Sequence, residues 1–158
     1  MPKDISVNLS RFPSPIVMCT EIIKQFRPSQ LSGPPLRIGS TDALPPEAQY
    51  QDEFYRSTCA LLSGNCLPSP EYGIRTKSGG GCIDFFLSGY KWGIELIAEG
   101  DHLKQHFDRF QKGAYSAWLN AGIMKDFLML DFRTRQPSTP HPGKYFFLIL
   151  LQIALLIT

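Results

Sequence analysis

The stretch from Cys82 to Ala98, CIDFFLSGYKWGIELIA, decides the fold of this chain. Its two apolar halves, residues 82–87 and 92–98, are rich in aromatic and β-branched residues, which favour strands. The four residues between them, SGYK, have the glycine and polar side chains typical of a turn. We therefore expect two antiparallel strands joined as a hairpin.

Further strands and helices are predicted on both sides of this hairpin. Upstream, residues 45–62 carry apolar residues at helical spacing, and residues 71–75 form a short extended segment. Downstream, Asp101 begins a second helix, a third short helix ends at Gly122, and residues 127–132 form a fourth strand. This order predicts the α/β class, with a small mixed β-sheet flanked by helices.

The two ends of the chain differ from the central part, which we expect to be one domain at residues 46–143. Residues 1–45 hold seven of the 13 prolines and predict a tail with one short helix that begins at Ser14-Pro15. Residues 144–158 are almost wholly apolar and predict a buried strand or helix, with peripheral membrane contact or an aberrant end as alternatives. The run is shorter than the roughly 20 residues of a membrane-spanning helix, so we expect no stable insertion.

Composition excludes several classes of protein. The chain has 158 residues and a formal net charge of +2, which is too small to recruit nucleic acid by a long-range field alone. Its four cysteines lack the C-x-x-C spacing of a zinc site, and we expect reduced thiols. No signal peptide is visible in MPKDISVNLSRF, which predicts an intracellular location; composition leaves the oligomeric state open.

Two acids occupy unusual positions in the predicted hairpin. Asp84 and Glu95 are each surrounded by apolar residues, and a buried carboxylate needs a partner or becomes neutral. If the two strands are neighbours, both acids can project on one face, where a hard divalent cation would relieve their repulsion. The alternative is that each acid is an ordinary charge that faces water or pairs with a basic side chain.

These residues carry a resemblance to a known superfamily. A helix acid, Glu53, followed by strand acids Asp84 and Glu95 in the order α-β-β-β-α-β, resembles the restriction-endonuclease-like core of the PD-(D/E)XK superfamily. The runs EAQYQDEFYR, SPEYG, IDFF, KWGIELIAEG, LKQHFDRF and LMLDFR are more closely similar to the endonuclease-like C-terminal domain of fungal Crinkler-type effector proteins. The similarity covers residues 9–135.

The resemblance implies a nuclease that hydrolyses phosphodiester bonds with Mg²⁺ (or Mn²⁺). Asp84 and Glu95 would hold the metal, with Glu53 as a further ligand from the first helix. The implied partner is nucleic acid, with DNA favoured over RNA. The implied location is inside a cell, in the nucleus of a host if the chain acts as an effector.

The sequence departs from the superfamily pattern at one position. In E-x-K the lysine would stand two residues after Glu95, and this chain has Ile97 there. Lys104 is the candidate for a migrated catalytic lysine, with His106 and Lys91 as alternatives. For contacts to nucleic acid the candidates are four side chains, namely Gln49, Lys91, His106 and Arg109. A catalytically inactive fold that only binds nucleic acid or protein is the second hypothesis.

Overall fold

The computed structural model describes residues 9–31, 47–62, 68–76, 79–138 and 146–150. Its centre is a five-stranded sheet in which the spatial order of the strands follows the chain. The strands are β1 (Ser69–Thr76), β2 (Gly79–Leu87), β3 (Trp92–Ala98), β4 (Asp126–Arg133) and β5 (Phe146–Leu150). The two strands of the predicted hairpin and the two strands predicted on either side of it are confirmed.

The sheet is mixed. Strands β1, β2 and β3 run antiparallel to one another, so the predicted hairpin is confirmed. Strands β3, β4 and β5 are parallel. A parallel pair needs a crossover, and the chain between β3 and β4 supplies it with two helices. The predicted coarse class, a small mixed sheet with flanking helices, is therefore correct.

The described part of the chain has five α-helices beside the sheet, after a short 3₁₀ helix at Leu9–Arg11. They are α1 (Pro15–Ile23), α2 (Pro28–Leu31), α3 (Glu47–Leu62), α4 (Leu103–Gln111) and α5 (Ala114–Asn120). Pro15 stands in the first turn of α1, as predicted, since its missing N–H has no helical partner to lose there. Helix α4 begins after His102, which has a left-handed backbone, and no side chain caps it; the predicted start at Asp101 is therefore early.

Each face of the sheet has its own hydrophobic core. Alternation along β3 sends Ile94 and Leu96 to a core shared with α1 and α3, and Ile97 to a core shared with α4 and α5. Met18 and Ile22 of α1 are fully buried in the first core. The short helix predicted within the tail therefore packs against the sheet, whereas the predicted boundary at residues 45–46 lies outside the described residues.

The apolar C-terminal segment contributes β5, which pairs in parallel with β4 over Phe146–Leu150. A strand was one of the two structures predicted for this segment, and its residues 144–145 and 151–158 lie outside the described part of the chain. Within the residues that the structure describes, no helix has the length and apolar character needed to cross a membrane.

Candidate functional site

The site lies where β2 and β3 separate. Their paired residues end with Phe85 opposite Ile94, and beyond this point a side chain takes the place of the backbone ladder. The Asp84 carboxylate accepts a hydrogen bond from the backbone N–H of Leu96 at 2.7 Å. This contact fixes one oxygen of Asp84, Oδ2, in the fork between the two strands.

Asp84 and Glu95 are close to each other, but the predicted common face is not confirmed. Ile83 and Phe86 both pack in the core of α4 and α5, so regular alternation does not hold through Asp84. Asp84 Oδ1 contacts Gln51 of α3, whereas Glu95 contacts α4 on the other face of the sheet. The pKa of Asp84 is raised to about 7, first by burial and then by the negative charge of Glu95. The structure thus brings together the two acids that the sequence singled out.

Glu95 is buried and only half of its carboxylate is paired. Its side chain is 1% exposed, and its Oε1 lies 2.7 Å from His106 Nδ1 and 3.0 Å from Arg109 Nη1. Its Oε2 is buried with no hydrogen-bond partner among the described residues. A buried carboxylate oxygen without a partner is costly, and a cation or a bound water would satisfy it. His106 and Arg109 therefore lie against Glu95, and their contact with nucleic acid stays a prediction.

The structure places Glu53 elsewhere, and its predicted role as a metal ligand is corrected. Both of its carboxylate oxygens accept hydrogen bonds from Arg27 and Arg56, on the side of α3 that meets α1 and α2. Burial alone would raise the pKa of Glu53, but these hydrogen bonds outweigh it and lower the pKa to about 2. Glu53 therefore ties the N-terminal helices to α3.

A different acid of the same helix, Glu47, faces the site, and sequence reasoning missed it. The Gln51 amide donates to Glu47 Oε1 at 3.1 Å and to Asp84 Oδ1 at 3.3 Å. The pKa of Glu47 is raised, chiefly by burial, and the charges of His106 and Glu95 also act on it. The helical spacing of the sequence could have identified Glu47, because residues 47 and 51 lie on one face of a helix whereas residues 51 and 53 do not.

The predicted lysines do not reach the site. Lys104 is 88% exposed and pairs with Asp108 at 3.1 Å, so it is not placed to act as the catalytic lysine. Lys91 is at the opposite end of β3, about 13 Å along the strand from Glu95, and its Nζ donates to the carbonyl of Gly122. These positions do not favour a catalytic role for Lys104 or for its alternative, Lys91, whereas the contact of Lys91 with nucleic acid stays a prediction.

Two further positions bear on the predictions. Gln49 is buried and its Oε1 has no partner among the described residues, so it is not a groove-lining contact for nucleic acid. It is one turn before Glu53, on the side of α3 that packs against the N-terminal helices. Ile97, at the position of the superfamily lysine, is fully buried in the core beneath α4 and α5.

No cluster of three or more His, Cys, Asp or Glu side chains among the described residues is arranged to hold a metal ion. The pair that the fork brings together consists of Asp84 and Glu95, with Glu47 acting on it through Gln51 and through charge. Comparison with protein-family models, with curated proteins and with solved structures found no match for this chain.

Proposed function

We propose that this chain is a metal-dependent nuclease that hydrolyses phosphodiester bonds of nucleic acid. The observation that carries the proposal is the pair of half-buried Asp84 and buried Glu95 at the strand fork, with Oε2 of Glu95 left without a partner among the described residues. Two neighbouring anions that are largely shielded from water are unfavourable on their own. A bound cation would relieve this repulsion, which favours a cation-binding role for the pair.

The donor set fits Mg²⁺ (or Mn²⁺). Magnesium is commonly bound in proteins through one or two carboxylates and several waters, so two acids suffice. Asp84 would contribute its oxygens from the fork, and Glu95 its unpaired Oε2. The cation, when bound, would stabilise negative charge on the scissile phosphate. The protein holds both carboxylates in place through Leu96, Gln51, His106 and Arg109.

His106 is proposed to do the work of the lysine that the superfamily pattern requires. When its Nδ1 donates to Glu95 Oε1, its other ring nitrogen, Nε2, is the proton acceptor of the neutral imidazole. That nitrogen can take the proton of the attacking water. Arg109 binds the same oxygen of Glu95 with one nitrogen and is 46% exposed, so it can also contact a phosphate.

The order of elements agrees with the proposed superfamily core. Helix α3 is followed by β1, β2, β3, then by α4 and α5, and then by β4, which is the α-β-β-β-α-β order with one additional helix. The two acids stand on the second and third of these strands. This order supports the proposal at the level of architecture, and the site residues carry the chemistry.

The test is a cleavage assay with purified protein, DNA or RNA, and Mg²⁺. Asp84→Asn should reduce cleavage about a hundredfold or more, because several kcal/mol of transition-state stabilisation are lost. Asp131→Asn is the matched control: Asp131 is a fully buried acid of β4 that binds Arg133 and the backbone of Gly100. Equal cleavage by the Asp84 variant and the wild type would reject the proposal.

A second candidate function is a catalytically inactive nuclease fold that binds nucleic acid or protein. It is favoured by Ile97, which is fully buried, and by the distance of Lys91 and Lys104 from the site. This candidate predicts binding of labelled nucleic acid that Mg²⁺ leaves unchanged, with no product in the cleavage assay. Cleavage that disappears in His106→Asn would exclude it.

A further inference from the structure

Two clefts lie on either side of β2 next to the proposed site. One, which we call the acidic cleft, has a volume of about 310 Å³ and is lined by Gln51, Asp52, Tyr55, Glu71 and Asp84, among others. The other, the arginine cleft, has a volume of about 440 Å³ and is lined by Gly80, Gly81, Arg109, Gly113 and Tyr115, among others. Asp84 is in the first cleft, and Arg109, which binds Glu95, is in the second.

Charge assigns different parts of a nucleotide to the two clefts. Three carboxylates and no basic side chain line the acidic cleft among the described residues, so a phosphate would be repelled from it while no cation is bound. Among the described residues that line the arginine cleft, Arg109 is the one that carries a formal charge, and it is partly exposed. Phosphate groups therefore belong on the side of Arg109. The acidic cleft therefore suits a cation or an uncharged group, and the uncharged group that a nucleotide offers is its base.

The acidic cleft has the surfaces that a nucleobase needs. The Tyr55 side chain is 40% exposed, although large apolar side chains of the described core are buried. An exposed aromatic ring provides a stacking platform for a base of any sequence. The Gln51 amide can donate a hydrogen bond to the polar edge of a base or accept one from it. The carboxylates of Asp52 and Glu71 can accept hydrogen bonds from the same edge. The volume is at the lower end of that of small-ligand sites, which suits one base.

We propose that the acidic cleft binds a single unpaired nucleobase of the substrate, stacked on Tyr55, while the adjoining phosphate lies toward Arg109. The inference rests on the proposed nuclease function for its substrate class. A base inside a duplex is stacked on both sides and paired, so it cannot enter the cleft without leaving the helix. The substrate is therefore single-stranded nucleic acid or an unpaired segment of it.

The experiment measures binding separately from cleavage. Fluorescence anisotropy follows short labelled single-stranded DNA, single-stranded RNA and duplex DNA, each added to the full chain at low salt with EDTA. Either single strand should bind at least about tenfold more tightly than the duplex. Tyr55→Ala should weaken single-strand binding about tenfold, because stacking on an aromatic side chain contributes about that much per base. Tyr55→Phe keeps the ring and should bind within about twofold of the wild type.

Controls separate the pocket from the fold and from the chemistry. Val17→Ala removes another exposed apolar side chain, on α1, and should leave binding unchanged. Equal binding of duplex and single strands, or a Tyr55→Ala variant that binds as the wild type does, would overturn the base pocket. A third result separates the two proposals. If single-strand binding depends on Tyr55 but no Mg²⁺-dependent cleavage is seen, the base pocket is supported and only the proposed nuclease function is rejected.

Discussion

Asp84 Oδ2 accepts the backbone N–H of Leu96 at 2.7 Å, one step beyond the last paired residues of β2 and β3. A side chain thus replaces a carbonyl in the ladder, and the two strands part around it. The Asp84 carboxylate is therefore held between the two strands and near Glu95. In an uninterrupted sheet, the backbone hydrogen bonds between the strands would leave no space for it. The predictions below depend on this arrangement.

Asp84 should make the protein less stable as the pH rises. Its pKa is raised from 3.8 to about 7 by burial and by the charge of Glu95. Between these two values the folded protein keeps a proton that the unfolded chain releases, so the free energy of unfolding falls with rising pH. Each unit of pKa difference corresponds to about 1.4 kcal/mol.

Urea unfolding at a series of pH values checks this expectation. The wild type should lose stability between about pH 4 and pH 7 relative to Asp84→Asn, which has no titrating group at that position. Added Mg²⁺ should recover part of the loss above this interval, because a cation that binds only the folded state stabilises it. A wild type and a variant with the same pH profile would contradict the raised pKa.

Glu47 and Glu53 form a matched pair of acids on one helix with different expected roles. Glu47→Gln should reduce Mg²⁺-dependent cleavage, because Glu47 acts on Asp84 through Gln51. Glu53→Gln should leave cleavage intact while lowering the free energy of unfolding by about 1–3 kcal/mol, because Arg27 and Arg56 lose the buried negative charge and one of the two oxygens that they bind. Cleavage assays and urea unfolding of both variants measure the two effects.

The reverse pattern, with cleavage lost in Glu53→Gln and kept in Glu47→Gln, would restore the role that the sequence assigned to Glu53. The pKa of Glu53, lowered to about 2, adds a separate check. Its contribution to stability is present above the ordinary value of 4.5 and should be lost as the pH falls toward about 2. Glu53→Gln should therefore flatten the acid limb of the stability profile.

Glu95 should be energetically coupled to Arg109. Arg109→Met leaves a buried carboxylate with one partner fewer, and we expect a loss of about 1–3 kcal/mol. In Glu95→Gln the negative charge is gone, so Arg109→Met should then cost less. A double-mutant cycle by urea unfolding measures the difference, and additive effects of the two substitutions would show that the pair is not coupled.

Gly81 should be intolerant of a side chain. A Cβ at this position of β2 would lie 2.8 Å from the Ala114 Cβ and 2.8 Å from the Tyr115 ring, where α5 packs against the strand. Gly81→Ala should therefore lower the free energy of unfolding by about 1–3 kcal/mol, as overpacked sites do. Gln111→Ala, at an exposed helix end, should change it by less than about 0.5 kcal/mol. An unaffected Gly81 variant would mean that α5 is not packed this closely.

The strands and the helices that flank them could be predicted because their signals are local. The alternation and β-branched content of Cys82–Leu87 and Trp92–Ala98 identify the hairpin, and its turn fixes the antiparallel register. The packing of α1 could not be predicted. Its contacts, such as those that bury Met18 and Ile22, are with β-strands and with a helix that are distant in sequence.

The candidate site was predictable only in part for a similar reason. Asp84 and Glu95 stand out as acids inside apolar strands, and this signal needs no knowledge of the fold. The choice between Glu47 and Glu53 depends on how α3 is rotated about its axis. That rotation is set by the packing of Tyr50 and Phe54 against the sheet, which the sequence does not encode locally.

The most direct test of the central claim is a calorimetric titration of Mg²⁺ into the protein at about pH 8, where Asp84 is ionised. We expect a binding heat for the wild type and for Asp131→Asn, and its loss in Asp84→Asn and in Glu95→Gln. A binding heat that both site variants retain, or the absence of any heat for the wild type, would contradict the claim that these two carboxylates hold a shared cation.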